Sequence, residues 1–254
     1  MRSFFLRYFL CCTLPLLWTH TSLAAEVSVA VAANFTAPMK VIAQAFERET
    51  GHKAVLSFGA TGQLYAQIRN GAPFSILLAA DELTPAKLEK EGGGVTGTTF
   101  TYAIGQLVLW SKNPGRVDEH GEILKKGSFT KLAIANPKLA PYGAAAIEVL
   151  NHLGIMSQVK PKIVEGANIA QTFQFVFSEN AELGFVARSQ VYESGKLKQG
   201  SGWLVPTSLY APIKQDAILL NLGRNNPAAL ALMKYLQSDA AKRVIQNYGY
   251  KIII

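Results

Sequence analysis

The sequence alternates short apolar segments with segments of helical period, and the same kind of turn joins them. Residues 27–32 are apolar and β-branched, and the segment that follows spaces its apolar residues three to four positions apart until Gly51. Residues 53–58 lead in the same way through the turn 59–62 into another helical segment. Strands that alternate with helices are typical of mostly parallel sheets covered by helices on both faces. We therefore expect an α/β fold.

This alternation occurs in two parts of the chain, although no sequence repeat is visible. A second set of strand, turn and helix units begins near residue 131, and after residue 202 the chain runs extended before two closing helices. The order predicts one lobe from residues 26–105 plus 210–254 and a second lobe, residues 106–209, inserted into it. We expect hinge bending where the chain crosses, near Gly105 and Tyr210.

The first 25 residues differ from the rest of the chain. Two arginines precede an apolar run over residues 8–18, and the small residues Ala24 and Ala25 close the segment. The run is shorter than the ~20 residues of a membrane span, and Pro15 interrupts it. These features predict a secretory signal peptide that is removed after Ala24 or Ala25.

The cysteine content and the distribution of charge limit what the protein can bind. Both cysteines lie in the predicted signal peptide, so the exported chain has no disulfide. Removal of that segment takes Lys plus Arg from 25 to 23 against 17 acidic residues, a net charge of about +6. The basic residues are scattered, without the basic stripe and interleaved aromatics that nucleic-acid binding requires. We do not expect a nucleic-acid partner.

Four turns share one design: each follows a short apolar strand, opens a helix and contains no charged residue. They are residues 33–35, 59–62, 140–143 and 167–170. Such turns line up at the carboxyl ends of parallel strands. Free N–H groups at a helix N-terminus favour a small anion without a lysine. Asn, Thr and Gly are also ordinary cap and turn residues, so only the four turns together predict an oxyanion site. The turn at Asp81 and Glu82 is charged and is expected to cap its helix.

These turns also carry a resemblance to a known family. The segments VAANF, GATGQLYAQIRNGAP, LLAADE, TYAIGQLVLWS, NPKLAPYG, VEGANIAQ, ELGFVA and the closing YGY resemble, in order, the periplasmic molybdate-binding proteins of the ModA type. The resemblance covers essentially the whole exported chain. It implies a type II periplasmic-binding-protein-like fold, with two three-layer α/β lobes of mostly parallel sheets joined by two crossover strands.

The resemblance also implies a function. The protein would be a periplasmic monomer, without a cofactor, that captures molybdate or tungstate between its lobes and delivers it to the membrane permease of an ABC importer. The implied oxyanion contacts are Ala33, Asn34, Thr61, Tyr142 and Ile169, and no residue is expected to bind a metal cation directly.

The expected contacts differ in kind. Tyr142 and Ile169 would give backbone N–H groups, Asn34 would add its side-chain amide, and Thr61 would give a hydroxyl and its N–H. Several members of the family have serines in the first two turns. Many have a ligand tyrosine where this chain has Ala187, which leaves open whether another contact compensates.

Two other functions stay open. A sulfate or thiosulfate receptor is the alternative, because sulfate has the same charge and shape as molybdate and only cavity size can reject it. Protonated phosphate would face a donor with its own O–H, which costs about 1 to 3 kcal/mol. A secreted enzyme is less favoured, because the histidines are isolated and no pair of titratable groups lies in the four turns.

Overall fold

The computed structural model describes residues 24–253, which form two five-stranded sheets covered by helices and one small two-stranded sheet. The predicted signal peptide lies, except for Ala24 and Ala25, outside the described residues. The strands are β1 (Glu26–Ala32), β2 (Lys53–Gly59), β3 (Ile76–Leu78), β4 (Phe100–Gly105), β5 (Leu107–Ser111), β6 (Leu132–Ala135), β7 (Ile163–Gly166), β8 (Leu183–Ala187), β9 (Tyr192–Glu193), β10 (Lys196–Leu197), β11 (Ser201–Leu204) and β12 (Ile213–Leu219).

The helices surround these sheets. They are α1 (Thr36–Thr50), α2 (Thr61–Arg69), α3 (Leu83–Lys90), α4 (Glu122–Lys126), α5 (Pro141–His152), α6 (Met156–Val159), α7 (Ile169–Phe177), α8 (Arg188–Val191), α9 (Pro227–Tyr235) and α10 (Asp239–Asn247). We call the sheet β2-β1-β3-β12-β4 with its helices α1 to α3, α9 and α10 the first lobe. The sheet β11-β5-β8-β6-β7 with helices α4 to α8 is the second lobe.

In each sheet four strands share one direction and the fifth is reversed. In the first sheet β1 is parallel to β2 and β3, and β12 is antiparallel to β3 and β4. In the second sheet β6 is parallel to β7 and β8, and β5 is antiparallel to β8 and β11. The prediction of mostly parallel sheets is therefore confirmed for strand direction, although half of the pairings in each sheet are antiparallel. The reversed strands are the two that follow a crossing, because such a strand enters its lobe from the side at which the other strands end.

Both lobes have three layers. Val27, Val29 and Val31 of β1 pack with α1, α9 and α10, whereas Ala30 faces α2 and α3 on the opposite side. The second sheet alternates in the same way, with Leu109 of β5 toward α4 and α5 and Trp110 toward α7. Period-two alternation with apolar residues on both faces is what buries a central strand between two helical layers.

Two crossings join the sheets. Gln106 alone separates β4 from β5, and the chain returns through the irregular segment 205–212. The hydroxyl of Tyr210 accepts a hydrogen bond from the backbone N–H of Leu107 at 3.1 Å, which ties one crossing to the other. Across residues 24–253 we find no helix with the length and apolarity that a bilayer crossing needs.

Candidate functional site: an uncharged cavity between the lobes

The four predicted turns meet around one small cavity between the two lobes. The space in it that is open to the centre of a water-sized sphere is about 10 Å³, far below the ~300–1,000 Å³ of sites for drug-sized organic ligands. The cavity is lined by Ala32, Ala33, Asn34, Gly59, Ala60, Thr61, Ala80, Ala140, Pro141, Tyr142, Asn168 and Ile169. All five predicted contact residues belong to this lining, and none of the lining residues is ionised at neutral pH.

Strand register brings the turns together. Ala32 at the end of β1 pairs with Gly59 at the end of β2, and Ala135 at the end of β6 pairs with Gly166 at the end of β7. Neighbouring parallel strands thus end at the same level, and their turns lie side by side. The two pairs of turns face each other across the cavity, and the backbone N–H of Gly62 donates to Leu139 O at 2.9 Å between the lobes.

Backbone donors line the cavity. Each predicted contact residue lies in the first turn of a helix or 3₁₀ turn, where the N–H has no intrahelical acceptor. Within residues 24–253 we find no acceptor for the backbone N–H of Asn34, Thr61, Tyr142 or Ile169, whereas the N–H of Ala33 continues the β1–β2 ladder to Gly59 O. Adjacent amides are already bonded, as when Ala170 N donates to the Asn168 cap at 3.0 Å. The positive ends of these helices favour an anion at the cavity.

Thr61 adds a hydroxyl to these donors. Its side chain is buried, and Oγ1 accepts a hydrogen bond from Ala80 N at 2.9 Å. That contact uses a lone pair of the hydroxyl and leaves its proton available. Thr61 therefore has both an O–H and an N–H free to donate at the cavity.

The side chain of Asn34 is turned away from its expected role. Its Nδ2 donates to Gln215 Oε1 at 2.8 Å and to Tyr250 Oη at 3.0 Å, so both amide hydrogens are engaged. A buried amide must satisfy these hydrogens, and polar partners behind the turn do so. Asn34 keeps only its backbone N–H for the cavity.

Sequence reasoning missed the partners of the Asn34 side chain, and it gave no role to Asn168 although that residue lies in the predicted turn 167–170. Tyr250 belongs to the quoted closing segment YGY, but no role was assigned to it, and Gln215 carried no signal at all. Asn168, which lines the cavity, caps α7 by accepting from Ala170 N and Gln171 N, both at 3.0 Å. Its position directly before a helical segment was the available signal.

Ala187 takes no part in the cavity. It is fully buried at the end of β8, and its N–H donates to Gln190 Oε1 at 2.9 Å. Among the lining residues only Thr61 and Tyr142 carry hydroxyls, and that of Tyr142 accepts from Gln215 Nε2 at 3.2 Å. Like the Thr61 hydroxyl, the Tyr142 hydroxyl keeps its proton when it accepts this bond.

The tyrosines at and behind the cavity are uncharged at neutral pH. Burial raises the pKa of Tyr142 and Tyr102 well above the ordinary value and that of Tyr250 to about 12, so all three stay protonated at neutral pH. Asp81 caps α3 as expected, because its carboxylate accepts from Thr84 N at 2.7 Å. No three His, Cys, Asp or Glu side chains between residues 24 and 253 are grouped so as to hold a metal ion.

Comparison with known proteins places the chain in a family. A family model described as bacterial extracellular solute-binding protein matches residues 27–251. The chain belongs to this family. This solute-binding protein is similar in sequence to several proteins named molybdate-binding protein ModA. The one from Azotobacter vinelandii is 63% identical over 227 residues, which are 89% of this chain and 90% of the relative. The one from Rhodobacter capsulatus is 50% identical over 227 residues, 89% of this chain and 88% of the relative.

A solved structure supports the same assignment. The periplasmic molybdate-binding protein of Azotobacter vinelandii matches this solute-binding protein with a TM-score of 0.87 and 38% identity, covering 90% of this chain and all of that one. The type II periplasmic-binding-protein fold predicted from the sequence is confirmed.

Proposed function

We propose that this solute-binding protein captures molybdate in the cavity between its lobes and delivers it to the permease of an ABC importer. The observation that carries the proposal is an uncharged cavity toward which both lobes direct backbone N–H groups from the N-termini of helices. Relatives named for molybdate binding, at high identity over most of the chain, support the same ligand. The similar structure from Azotobacter vinelandii is of a periplasmic protein, which supports a periplasmic site of action for this chain. We propose residues 1–25 as the export signal, from their sequence pattern.

The chemistry of the cavity fits a fully ionised tetrahedral dianion. Such an ion accepts hydrogen bonds on every oxygen and donates none, so a lining of donors satisfies it. We propose that Asn34, Tyr142 and Ile169 bind through their N–H groups, that Thr61 binds through its N–H and hydroxyl, and that Ala33 contacts the anion as part of the cavity wall. Tungstate has the same charge and shape and is proposed as a second ligand. Sulfate is smaller, so its hydrogen bonds to the same donors would be longer and weaker.

Capture requires that the lobes move. An anion that touches Asn34 and Thr61 on one side and Tyr142 and Ile169 on the other binds the closed arrangement best and shifts the population toward it. We propose residues 26–105 plus 210–254 and residues 106–209 as the moving lobes, with hinges near Gly105 and Tyr210. The site is complete within one chain, which supports a monomer as the working unit.

Calorimetric titration of the exported, processed protein tests the ligand. We expect one molybdate per chain, displacement by tungstate, and no displacement by a large excess of sulfate or phosphate. Recovery of the bound molybdate unchanged would separate a receptor from an enzyme that converts it. Tighter binding of sulfate than of molybdate would contradict the proposal and favour the sulfate receptor.

A further inference from the structure

A cluster of buried polar side chains lies directly behind the anion cavity. We call it the latch cluster. It consists of Asn34, Tyr102, Tyr142, Ser189, Gln215 and Tyr250, each at most 5% exposed. The proposed oxyanion contacts need only two of these residues, Asn34 and Tyr142. The remaining four call for an explanation, because burying polar groups is costly unless they are hydrogen-bonded.

The cluster crosses from one lobe to the other. Ser189 on α8 of the second lobe donates from Oγ to the carbonyl oxygen of Asn34 at 2.9 Å and lies 3.0 Å from Tyr250 Oη. Gln215 on β12 of the first lobe donates from Nε2 to Tyr142 Oη at 3.2 Å. These contacts exist only while the lobes are together.

Within the first lobe the cluster fixes the turn that contains Asn34. Tyr250 Oη donates to the backbone oxygen of Asn34 at 2.8 Å and accepts from its Nδ2 at 3.0 Å. It therefore holds both the backbone carbonyl and the side-chain amide of Asn34. Gln215 Oε1 takes the second hydrogen of Nδ2 at 2.8 Å. The Asn34 carbonyl and side chain are thereby held on the side of the cluster, which leaves the backbone N–H for the cavity.

We propose that Ser189 and Tyr250 are positioning residues for oxyanion binding, which act on the ligand through Asn34. Tyr250 orients the turn, and Ser189 adds a hydrogen bond that forms on closure and must break before the ligand leaves. The inference rests on the proposed capture of an oxyanion by lobe closure. It adds that part of the closing free energy comes from protein contacts that never touch the ligand.

Substitution Ser189→Ala tests the contact between the lobes. We expect dissociation of labelled molybdate to become about 2- to 12-fold faster, the range that corresponds to one net hydrogen bond. The association rate should stay within twofold, because the contact forms after encounter. The melting temperature of the ligand-free protein should not change, since Ser189 is solvated in the open form. A role confined to folding would lower that melting temperature and leave dissociation unaltered.

The matched control is Ser111→Ala. Ser111 is a fully buried serine whose Oγ donates to Glu182 O at 2.8 Å within the second lobe alone. It should lower the melting temperature with and without molybdate and leave both rate constants unchanged. Equal dissociation rates in Ser189→Ala and wild type would overturn the inference.

Tyr250→Phe and the double variant complete the test. Tyr250→Phe should raise the dissociation rate and also lower the ligand-free melting temperature, because its bonds to Asn34 lie within one lobe. The effects of Ser189→Ala and Tyr250→Phe on dissociation should be non-additive, since the residues share Asn34 O. Additive effects would contradict a shared action. Failure of the proposed function would give a different result, in which the wild-type protein binds neither molybdate nor tungstate.

Discussion

Thr61 combines a backbone N–H and a hydroxyl at one wall of the cavity. Its Oγ1 is held in place by Ala80 N, so the hydroxyl is oriented before any ligand arrives. A donor that needs no reorientation loses little entropy on binding, which is the general advantage of preorganised sites. This makes Thr61 the most informative single position in the cavity.

We expect Thr61→Ala to weaken molybdate binding by about 10- to 150-fold, because a hydrogen bond to a charged group contributes about 1.5 to 3 kcal/mol. Thr61→Ser, which keeps the hydroxyl, should stay within about threefold of wild type. Isothermal titration at fixed pH and salt measures both. Equal losses in the two variants would show that the methyl group matters and the hydroxyl does not.

Gly105 is a second position where the addition of one carbon atom is expected to change molybdate binding. A Cβ at this residue would lie 2.1 Å from Tyr142 Oη and 2.7 Å from Gln215 Nε2, so the closed arrangement leaves no room for it. Gly105→Ala should weaken molybdate binding by roughly 5- to 150-fold, since overpacking costs ~1–3 kcal/mol. X-ray scattering should show no compaction of this variant at a molybdate concentration that compacts the wild type.

Gly93→Ala is the control for that experiment. Its nearest neighbour would be the Leu88 side chain at 3.3 Å, on a helix that does not line the cavity. Its affinity and compaction should equal those of wild type. If the wild-type protein itself does not compact with molybdate, the proposed lobe closure is wrong.

At the scale of elements, the N-termini of the helices line the cavity, and their capping residues also stabilise the fold. Asn168 caps α7 and lines the cavity, and Asn226 caps α9 with the same geometry on the outside of the first lobe. Asp is as good an N-cap as Asn. An Asn-to-Asp change therefore adds one negative charge and keeps the cap at either helix, and at Asn226 it also removes the hydrogen bond from Nδ2 to Glu26 O at 2.9 Å.

Asn168→Asp should abolish most molybdate binding while stability is kept or slightly raised by the helix dipole. Two unit charges of like sign 4 Å apart repel by ~4 kcal/mol at an effective dielectric of ~20, so we expect at least about a 100-fold loss. Asn226→Asp should leave affinity unchanged. Thermal melts and titrations of both variants check this, and similar affinity losses in the two would place the anion elsewhere.

Features that depend on local sequence could be predicted, whereas features that depend on distant parts of the chain could not. Strand, turn and helix order is local, so the turns at Asn34, Thr61, Tyr142 and Ile169 were visible in the periodicity and in uncharged turn residues. The reversal of β5 and β12 was not visible, because direction depends on which side of the sheet a strand enters. The true partners of the Asn34 side chain, Gln215 and Tyr250, lie 181 and 216 residues away. No local pattern reports such a contact.

At the scale of the whole molecule, the latch cluster joins the two lobes through neutral hydroxyls and amides and contains three buried tyrosines. Burial raises the pKa of Tyr250 to about 12 and those of Tyr102 and Tyr142 well above the ordinary value near 10. At neutral pH no group of the latch cluster titrates. Molybdate affinity should therefore be flat with pH wherever molybdate itself is fully ionised.

Stability should fall at high pH, because these tyrosines ionise more easily in the unfolded chain. Their neutral form is fully stabilising below pH 10, and that contribution is lost progressively as pH rises from 10 toward 12, while the unfolded state alone loses protons. Each such group contributes a slope of about 1.36 kcal/mol per pH unit in this window. Urea unfolding between pH 8 and 11.5 should show this decline, and Tyr250→Phe should decline less steeply than wild type. An identical slope in the two proteins would mean that Tyr250 is not protected from ionisation and that the interface is open to solvent.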